Sequence, residues 1–268
     1  MERPQWAPQT IDIERPSVAR MYDYYLGGSH NFAVDRAAAQ QMIAAVPEAP
    51  LMAQANRAFL RRAVRFLTDA GIRQFLDIGS GIPTVGNVHE IAQRATPDAR
   101  VVYVDIDPVA VAHSREILAD NHLATAIQED LRRPREILDH PEVRKLIDFS
   151  EPVAVMIVAV LHFVPDSDDP ASVITTIRDA LVPGSFLTLS QASDEGRPRE
   201  QRDDAEEIYR RTDNPLAVRN RAELTRLFDG FTLIEPGVVW VPQWRPDPLD
   251  SVHDADRAAF VGGMGRLT

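Results

Sequence analysis

The 268-residue sequence contains no cysteine. Disulfides, thiol nucleophiles and cysteine-based zinc sites are therefore excluded. Only one of its 29 basic residues, Lys145, is lysine, a bias that points to a GC-rich genome more than to any function. The seven histidines never fall at His-x-x-x-His or His-Glu-x-x-His spacing, so no metal signature is present. Long hydrophobic runs are also missing. The longest, residues 153–161, is far too short to cross a bilayer, and Met1-Glu2-Arg3-Pro4-Gln5-Trp6 opens no signal-peptide core. The expectation is a soluble cytoplasmic protein with no membrane partner. Positive charge is scarce too: the net charge is −11. Such a surface repels phosphate backbones, and the pairs Arg61-Arg62 and Arg132-Arg133 are too short to reverse that, reading instead as solvated arginines. Nucleic acid is not expected as a partner, and the sequence does not address the oligomeric state.

What is there is 44% hydrophobic, enough for one large α/β domain with an accessory segment. The most informative run is Phe75-Leu76-Asp77-Ile78-Gly79-Ser80-Gly81-Ile82-Pro83-Thr84. Apolar residues lead into a Gly-x-Gly turn, and a helical stretch follows from Asn87. A second apolar run ends on Asp105, 26 residues after Gly79. A strand that delivers a glycine turn, followed by a strand that presents an acid to ribose hydroxyls, reads as a nucleotide-type crevice. The dinucleotide fingerprint needs a third glycine, where this chain has Thr84. Pro83 has no N–H to offer a phosphate, and no Gly-Lys-Ser/Thr follows. A ligand with a ribose but no phosphate fits better, and S-adenosylmethionine (AdoMet) is the obvious candidate.

Short apolar runs alternate with helical patterns beyond Gly71. Strands are predicted at 74–78, 100–105, 124–128, 153–159 and 185–191, and helices at 87–95, 108–120, 134–147 and 170–182. This alternation argues for a parallel sheet covered on both faces. Residues 231–235 and 238–242 read as two antiparallel strands at the sheet edge, joined at Pro236-Gly237. Upstream, helices are predicted at 35–46, ended by Pro47 and Pro50, and at 54–70. Pro4, Pro8 and Pro16 make residues 1–16 irregular, and residues 192–203 read as a flexible loop.

Ligands in open α/β sheets lie outside the carboxyl ends of the strands. Those ends supply Asp77 to Gly81, Asp105 with Asp107, Glu129 to Leu131, Ala159 to His162, and Ser190 to Ser193. Asp105 has two carboxylate oxygens to match paired ribose hydroxyls. It could instead cap the helix beginning at Pro108, a role Asp107 fills better. Asp130 could accept from an adenine amine or cap the helix after Pro134. His162 could position a substrate or take its proton, or it could be a packed core histidine. Between Ser17 and Phe32, three tyrosines, Gly27-Gly28 and His30-Asn31 suit a lid over a ligand or a surface helix ending at Gly27.

Taken together, Ala19-Arg20-Met21-Tyr22-Asp23-Tyr24-Tyr25-Leu26-Gly27-Gly28, the run 56–63 beginning Asn56-Arg57, the glycine turn, Val102-Tyr103-Val104-Asp105, Val160-Leu161-His162-Phe163-Val164 and Pro183-Gly184-Ser185 resemble a family. It is the S-adenosyl methyltransferase family of high-GC bacteria, formerly a domain of unknown function. The resemblance covers about residues 16–245. It implies a class I methyltransferase-like Rossmann sheet, mostly parallel with an antiparallel edge strand, carrying an N-terminal helical extension. Residues 1–70 would form that extension and a lid, and residues 71–268 the AdoMet-binding catalytic domain. It places Gly79 and Gly81 at the methionine end, Asp105 at ribose and Asp130 near adenine, and it turns Tyr22, Tyr25 and Asn31 toward the ligand. With the strand ends, the candidate cofactor contacts are Tyr22, Tyr25, Asn31, Asp77, Gly79, Ser80, Gly81, Pro83, Asp105, Ile106, Asp107, Asp130, Leu131 and Ala159. His162 is the catalytic candidate. The expected function is in-line methyl transfer from AdoMet to a small molecule. The alternatives are a non-catalytic AdoMet-binding sensor and, disfavoured by Pro83 and Thr84, an NAD(P)-dependent oxidoreductase.

Overall fold

A computed structural model describes residues 12–83, 86–212, 214–248, 250 and 252–268. Most of the irregular stretch expected at 1–16, and Thr84 itself, lie outside the described residues. Among the described residues three helices, α1 (Val18–Tyr25), α2 (Ala33–Ala45) and α3 (Ala49–Asp69), precede the first strand. Then come β1 (Gln74–Ile78), α4 (Val88–Ala95), β2 (Arg100–Asp105), α5 (Pro108–Ile117), β3 (Ala124–Gln128), α6 (Pro134–Asp139), α7 (Pro141–Leu146), β4 (Ala154–Val158), α8 (Pro170–Arg178) and β5 (Phe186–Ala192). The chain closes with α9 (Arg199–Tyr209), α10 (Arg221–Arg226), β6 (Thr232–Leu233), β7 (Val239–Trp240) and β8 (Phe260–Arg266).

The strands form one sheet in the order β3-β2-β1-β4-β5-β8-β6, with β7 also paired to β8. The first five are parallel, and β8 runs antiparallel to β5. The order turns back between β1 and β4, because β2 and β3 are added on one side and β4 and β5 on the other. Strand ends splay apart at such a reversal and leave a crevice for a ligand. β4 is apolar throughout and lies at the centre, covered on both faces. One face packs Phe59, Val64 and Leu67 of α3 with Ala92 of α4 and Val111 of α5; the other packs residues of α6, α7, α8 and α10. A third apolar cluster lies beyond the sheet, where Met21, Tyr25 and Met42 meet Ala205, Ile208 and Tyr209 of α9.

Several expectations are corrected. The helix expected at 134–147 is two, because Pro141 lacks an N–H and pushes His140 to extended backbone, φ −60° and ψ 132°. Pro50 does not end α2; it sits in the first turn of α3, where a missing N–H is harmless. The loop expected at 192–203 is shortened by β5, which includes Ala192, and by α9, which starts at Arg199. Residues 231–235 and 238–242 do not pair with each other: β6 and β7 each pair with β8. β8 was not foreseen, since Phe260-Val261-Gly262-Gly263-Met264-Gly265 reads as turn-forming sequence. Its glycines answer to close packing. A Cβ at Gly265 would stand 2.7 Å from the Phe231 side chain, and one at Gly262 3.0 Å from the Leu189 carbonyl oxygen.

Candidate active site

A cleft opens over the carboxyl ends of β1 to β5, roofed by α1, the first half of α3 and α9. It holds about 1410 Å³ of space, its open mouth included. At its centre the glycine turn leaves β1 with Gly79 at φ +75° and Gly81 at φ +67°, conformations that favour glycine. The N–H groups of Gly79 and Ser80 both donate to the Val104 carbonyl, at 2.7 and 3.1 Å, which fixes the turn against β2. A Cβ at Gly81 would meet nothing within 4 Å, whereas one at Gly79 would lie 2.1 Å from Val160 Cγ2. Gly79 thus lets the β1 and β4 ends approach each other.

Asp105 is buried at the end of β2. Its Oδ2 accepts from Gly81 N–H at 2.7 Å and its Oδ1 from Asp107 N–H at 2.8 Å. The Ile106 backbone also bonds this carboxylate, which keeps acceptor capacity for a ligand hydroxyl. Burial pushes this carboxyl up to about 6, against the hydrogen bonds that lower it. Asp77, at the end of β1, is pushed up to about 7, first by burial and then by Asp105, while Arg57 opposes the shift. Arg57 lines the same part of the cleft. Two buried acids beside one arginine suit a ligand that brings its own positive charge and hydroxyl donors. The ammonium, sulfonium and ribose of AdoMet fit this donor set.

At the end of β3, Arg132 folds back on Asp130, with Nη2 2.6 Å from Oδ2. Burial raises the Asp130 carboxyl, but these hydrogen bonds outweigh it and hold the group below the ordinary carboxylate range. Glu129, Leu131 and Ile106 line the cleft alongside it. Beyond β4, Ala159 adopts φ +63°, uncommon for a residue with a Cβ. Its N–H donates to Ser190 O at 3.0 Å and to Ser190 Oγ at 3.1 Å. Ser190 Oγ donates to Asn56 Oδ1, Asn56 Nδ2 donates to Tyr22 Oη, and Tyr22 donates to the Ala53 carbonyl. This chain ties the roof to the strand ends.

His162 lines the cleft but is buried against Phe163 and Phe260. Its Nδ1 accepts from Ala192 N–H at 3.2 Å, so in the neutral ring the proton sits on Nε2. Burial, helped by the Arg219 charge, lowers its pKa to about 3. A proton acceptor near neutral pH is a poor description of this group; it can donate a hydrogen bond instead. Arg219 braces the same loop, donating to the Leu161 and Val164 carbonyls at 2.9 and 2.7 Å.

Of the other sequence candidates, Tyr22, Tyr25, Asp77, Gly79, Ser80, Gly81, Asp105, Ile106, Asp130, Leu131 and Ala159 all line the cleft. Three do not. Asn31 braces its own turn, donating to Asp23 Oδ2 at 2.8 Å. Asp107 caps α5 through Val109 N–H, accepts from Ser17 Oγ, and ion-pairs with Arg20 at 3.6 Å. Pro83 lines a small hollow behind the turn, with His89 and Tyr103. Sequence reading gave no role to Asn56 and Arg57, although their run was singled out. Phe163 likewise sat in a singled-out run without a role, and Tyr209 and Phe260 were missed, because an unread helix and a glycine-rich strand left no local signal.

No described residues form a cluster of three or more groups fit to hold a metal, and no described helix is long and apolar enough to cross a membrane. None of the curated proteins matches the chain. A crystal structure from Thermobifida fusca, provisionally called a methyltransferase, shares 42% identity and a TM-score of 0.92, covering 99% of this chain and 100% of that one. A DUF574 family protein from Streptomyces avermitilis shares 39% identity and a TM-score of 0.91, over 96% and 99%. Human N-acetylserotonin methyltransferase, crystallised with S-adenosylmethionine, is 12% identical with a TM-score of 0.50, over 95% of this chain and 63% of that one, a likeness of fold alone. Residues 4–268 match the family described as S-adenosyl methyltransferase, and the chain belongs to that family of AdoMet-dependent enzymes.

Proposed function

We propose that the chain methylates a small molecule enclosed between the strand ends and the helical roof, within the cytoplasm. The observation that carries this reading is the division of the cleft: buried acids and a glycine turn at β1 and β2, and an apolar chamber past β4. AdoMet supplies an electrophilic methyl on sulfonium sulfur. In this reading Asp105 receives the ribose on its remaining acceptor capacity. Asp77 faces the ammonium and Arg57 the carboxylate of the amino-acid end. Asp130, Leu131 and Ile106 flank the adenine. Residues 1–70 supply most of the lid, which α9 completes through Tyr209. Holding donor and acceptor in line supplies much of the rate for such a transfer, so no general base is required. An enclosed chamber favours a small acceptor over a protein surface, and the net charge of −11 disfavours nucleic acid.

Calorimetric titration with AdoMet, S-adenosylhomocysteine and NAD tests the cofactor assignment. The expected result is micromolar binding of both adenosyl ligands and none of NAD. Asp105→Ala should weaken AdoMet by about 1–3 kcal/mol, the range for a charge-assisted hydrogen-bond pair. Unchanged affinity would remove Asp105 from the ribose role.

A further inference from the structure

The charged residues of the cleft are segregated. Arg57, Asp77, Asp105, Glu129, Asp130 and Arg132 all come from α3 or from the ends of β1, β2 and β3. The other half is built where β4, β5 and β8 meet α1, α2 and α9, and among the described residues none that lines it is an acid, lysine or arginine. Rings dominate it. His162 lies 4.2 Å from Phe163 and edge-on to Phe260 at 5.5 Å, and Phe163 lies 5.5 Å from Tyr209. The Tyr25 and Tyr209 hydroxyls meet at 3.3 Å. Together with Nε2 of His162, the Tyr22 hydroxyl and Asn214, they are the polar groups of a mostly apolar wall that includes Met42 and Leu216.

Resting on the AdoMet reading above, we propose that this half takes an uncharged, flat aromatic molecule whose hydroxyl-type heteroatom receives the methyl. A charged acceptor would lose its water with no counter-charge among the described residues of the chamber walls. A cation would also face the sulfonium at short range, which offsets the attraction of the ring faces for cations. A flat ring gains edge and face contacts with the side-chain rings, and methionine adapts to its outline. Nε2–H of His162 can donate to the acceptor heteroatom and orient it. A lone pair of that heteroatom forms the new bond to carbon as the carbon–sulfur pair returns to sulfur, and the heteroatom's proton leaves to solvent.

The test is calorimetry on the full chain, first with S-adenosylhomocysteine and then, with that ligand saturating, with three probes: 2-naphthol, 2-naphthoate and 2-naphthylmethylammonium. 2-Naphthol should bind, and each charged probe should bind at least about ten-fold more weakly, the minimum for an uncompensated buried charge. Leu216→Asp should weaken 2-naphthol by about ten-fold for the same reason and leave S-adenosylhomocysteine unaffected. Phe163→Leu keeps the chamber apolar and should weaken 2-naphthol through loss of ring contact alone. If S-adenosylhomocysteine fails to bind, the cofactor reading falls and this inference with it. If it binds but a charged probe matches 2-naphthol, or no probe binds, or both variants leave 2-naphthol unchanged, only the acceptor assignment is overturned.

Discussion

In the ligand-free protein Asp77 is 4% exposed, and burial has moved its carboxyl from 3.8 to about 7. That shift has a definite consequence for stability. Below pH 3.8 the group is neutral in both folded and unfolded chains and contributes nothing. Between about 4 and 7 the unfolded chain is ionised while the folded one holds its proton, so stability falls as pH rises. Above about 7 both are ionised and the full penalty applies. At 1.36 kcal/mol per pKa unit the ceiling is about 4 kcal/mol, and water admitted through the cleft mouth reduces it to roughly half. Asp77→Asn removes the titration without changing shape. Urea melts of ligand-free protein at pH 5 and pH 8 should show the wild type losing about 1 kcal/mol more than the variant over that interval, because part of the penalty is already present at pH 5. At pH 8 the variant should be the more stable. AdoMet affinity should change in the opposite direction, because the amide gives no counter-charge to the ammonium. Parallel pH dependence in the two proteins, or a variant less stable at pH 8, would refute the argument. Asp105 titrates in both proteins, so the difference between them belongs to Asp77 and its coupling to Asp105.

Two further outcomes follow from the geometry. Gly79→Val should destabilise the fold as well as weaken binding, because its Cβ enters the Val160 side chain at φ +75°; adding Val160→Ala should recover part of the melting temperature, and no recovery would place the obstacle elsewhere. His162→Asn should reduce turnover without altering its pH profile between 5 and 8, because the ring is neutral throughout that range; loss of an acidic limb from the profile would restore His162 as a base.

The parallel half of the fold was legible in the sequence because its strands are short, apolar and regularly spaced by helices. That Gly79, Gly81, Asp77 and Asp105 would line one cleft was legible because they fall at the end of one strand and the next. The roof was only half legible. Tyr22 and Tyr25 stood out, but their partners Asn56 and Tyr209 lie 34 and 184 residues away in sequence, and only packing joins them. Asn31 was misplaced for a related reason. Polar residues beside glycines resemble a binding loop, yet this side chain is consumed in holding its own turn through Asp23 and Gly28. β8 stayed hidden because glycine lowers strand propensity, a preference overridden where neighbours leave no room for a Cβ.

The link between roof and sheet also bears on how the site closes. Tyr22 reaches Ala159 through Asn56 and Ser190, and Asn56 and Ser190 are almost wholly buried. A second link runs from Ser17 and Arg20 on the roof to Asp107, two residues from Asp105. The roof is thus joined to both sides of the crevice, at the end of β4 and at the end of β2. A lid hinged at Gly27-Gly28 alone would have to break the buried Arg20 pair with Asp35 and Asp107, and separating one partner of such a pair costs about 3–5 kcal/mol. Freedom of that size is more easily found on the side of α9. Its helix is held to the roof by an apolar cluster, the Tyr25–Tyr209 hydroxyl contact and, just past its end, a 3.4 Å hydrogen bond from Arg211 to Gln41, and the Arg199–Asp203 and Arg211–Glu207 pairs are exposed. Exposed pairs of that kind contribute little to stability. Entry for an acceptor is therefore expected past α9, with α1 staying in place.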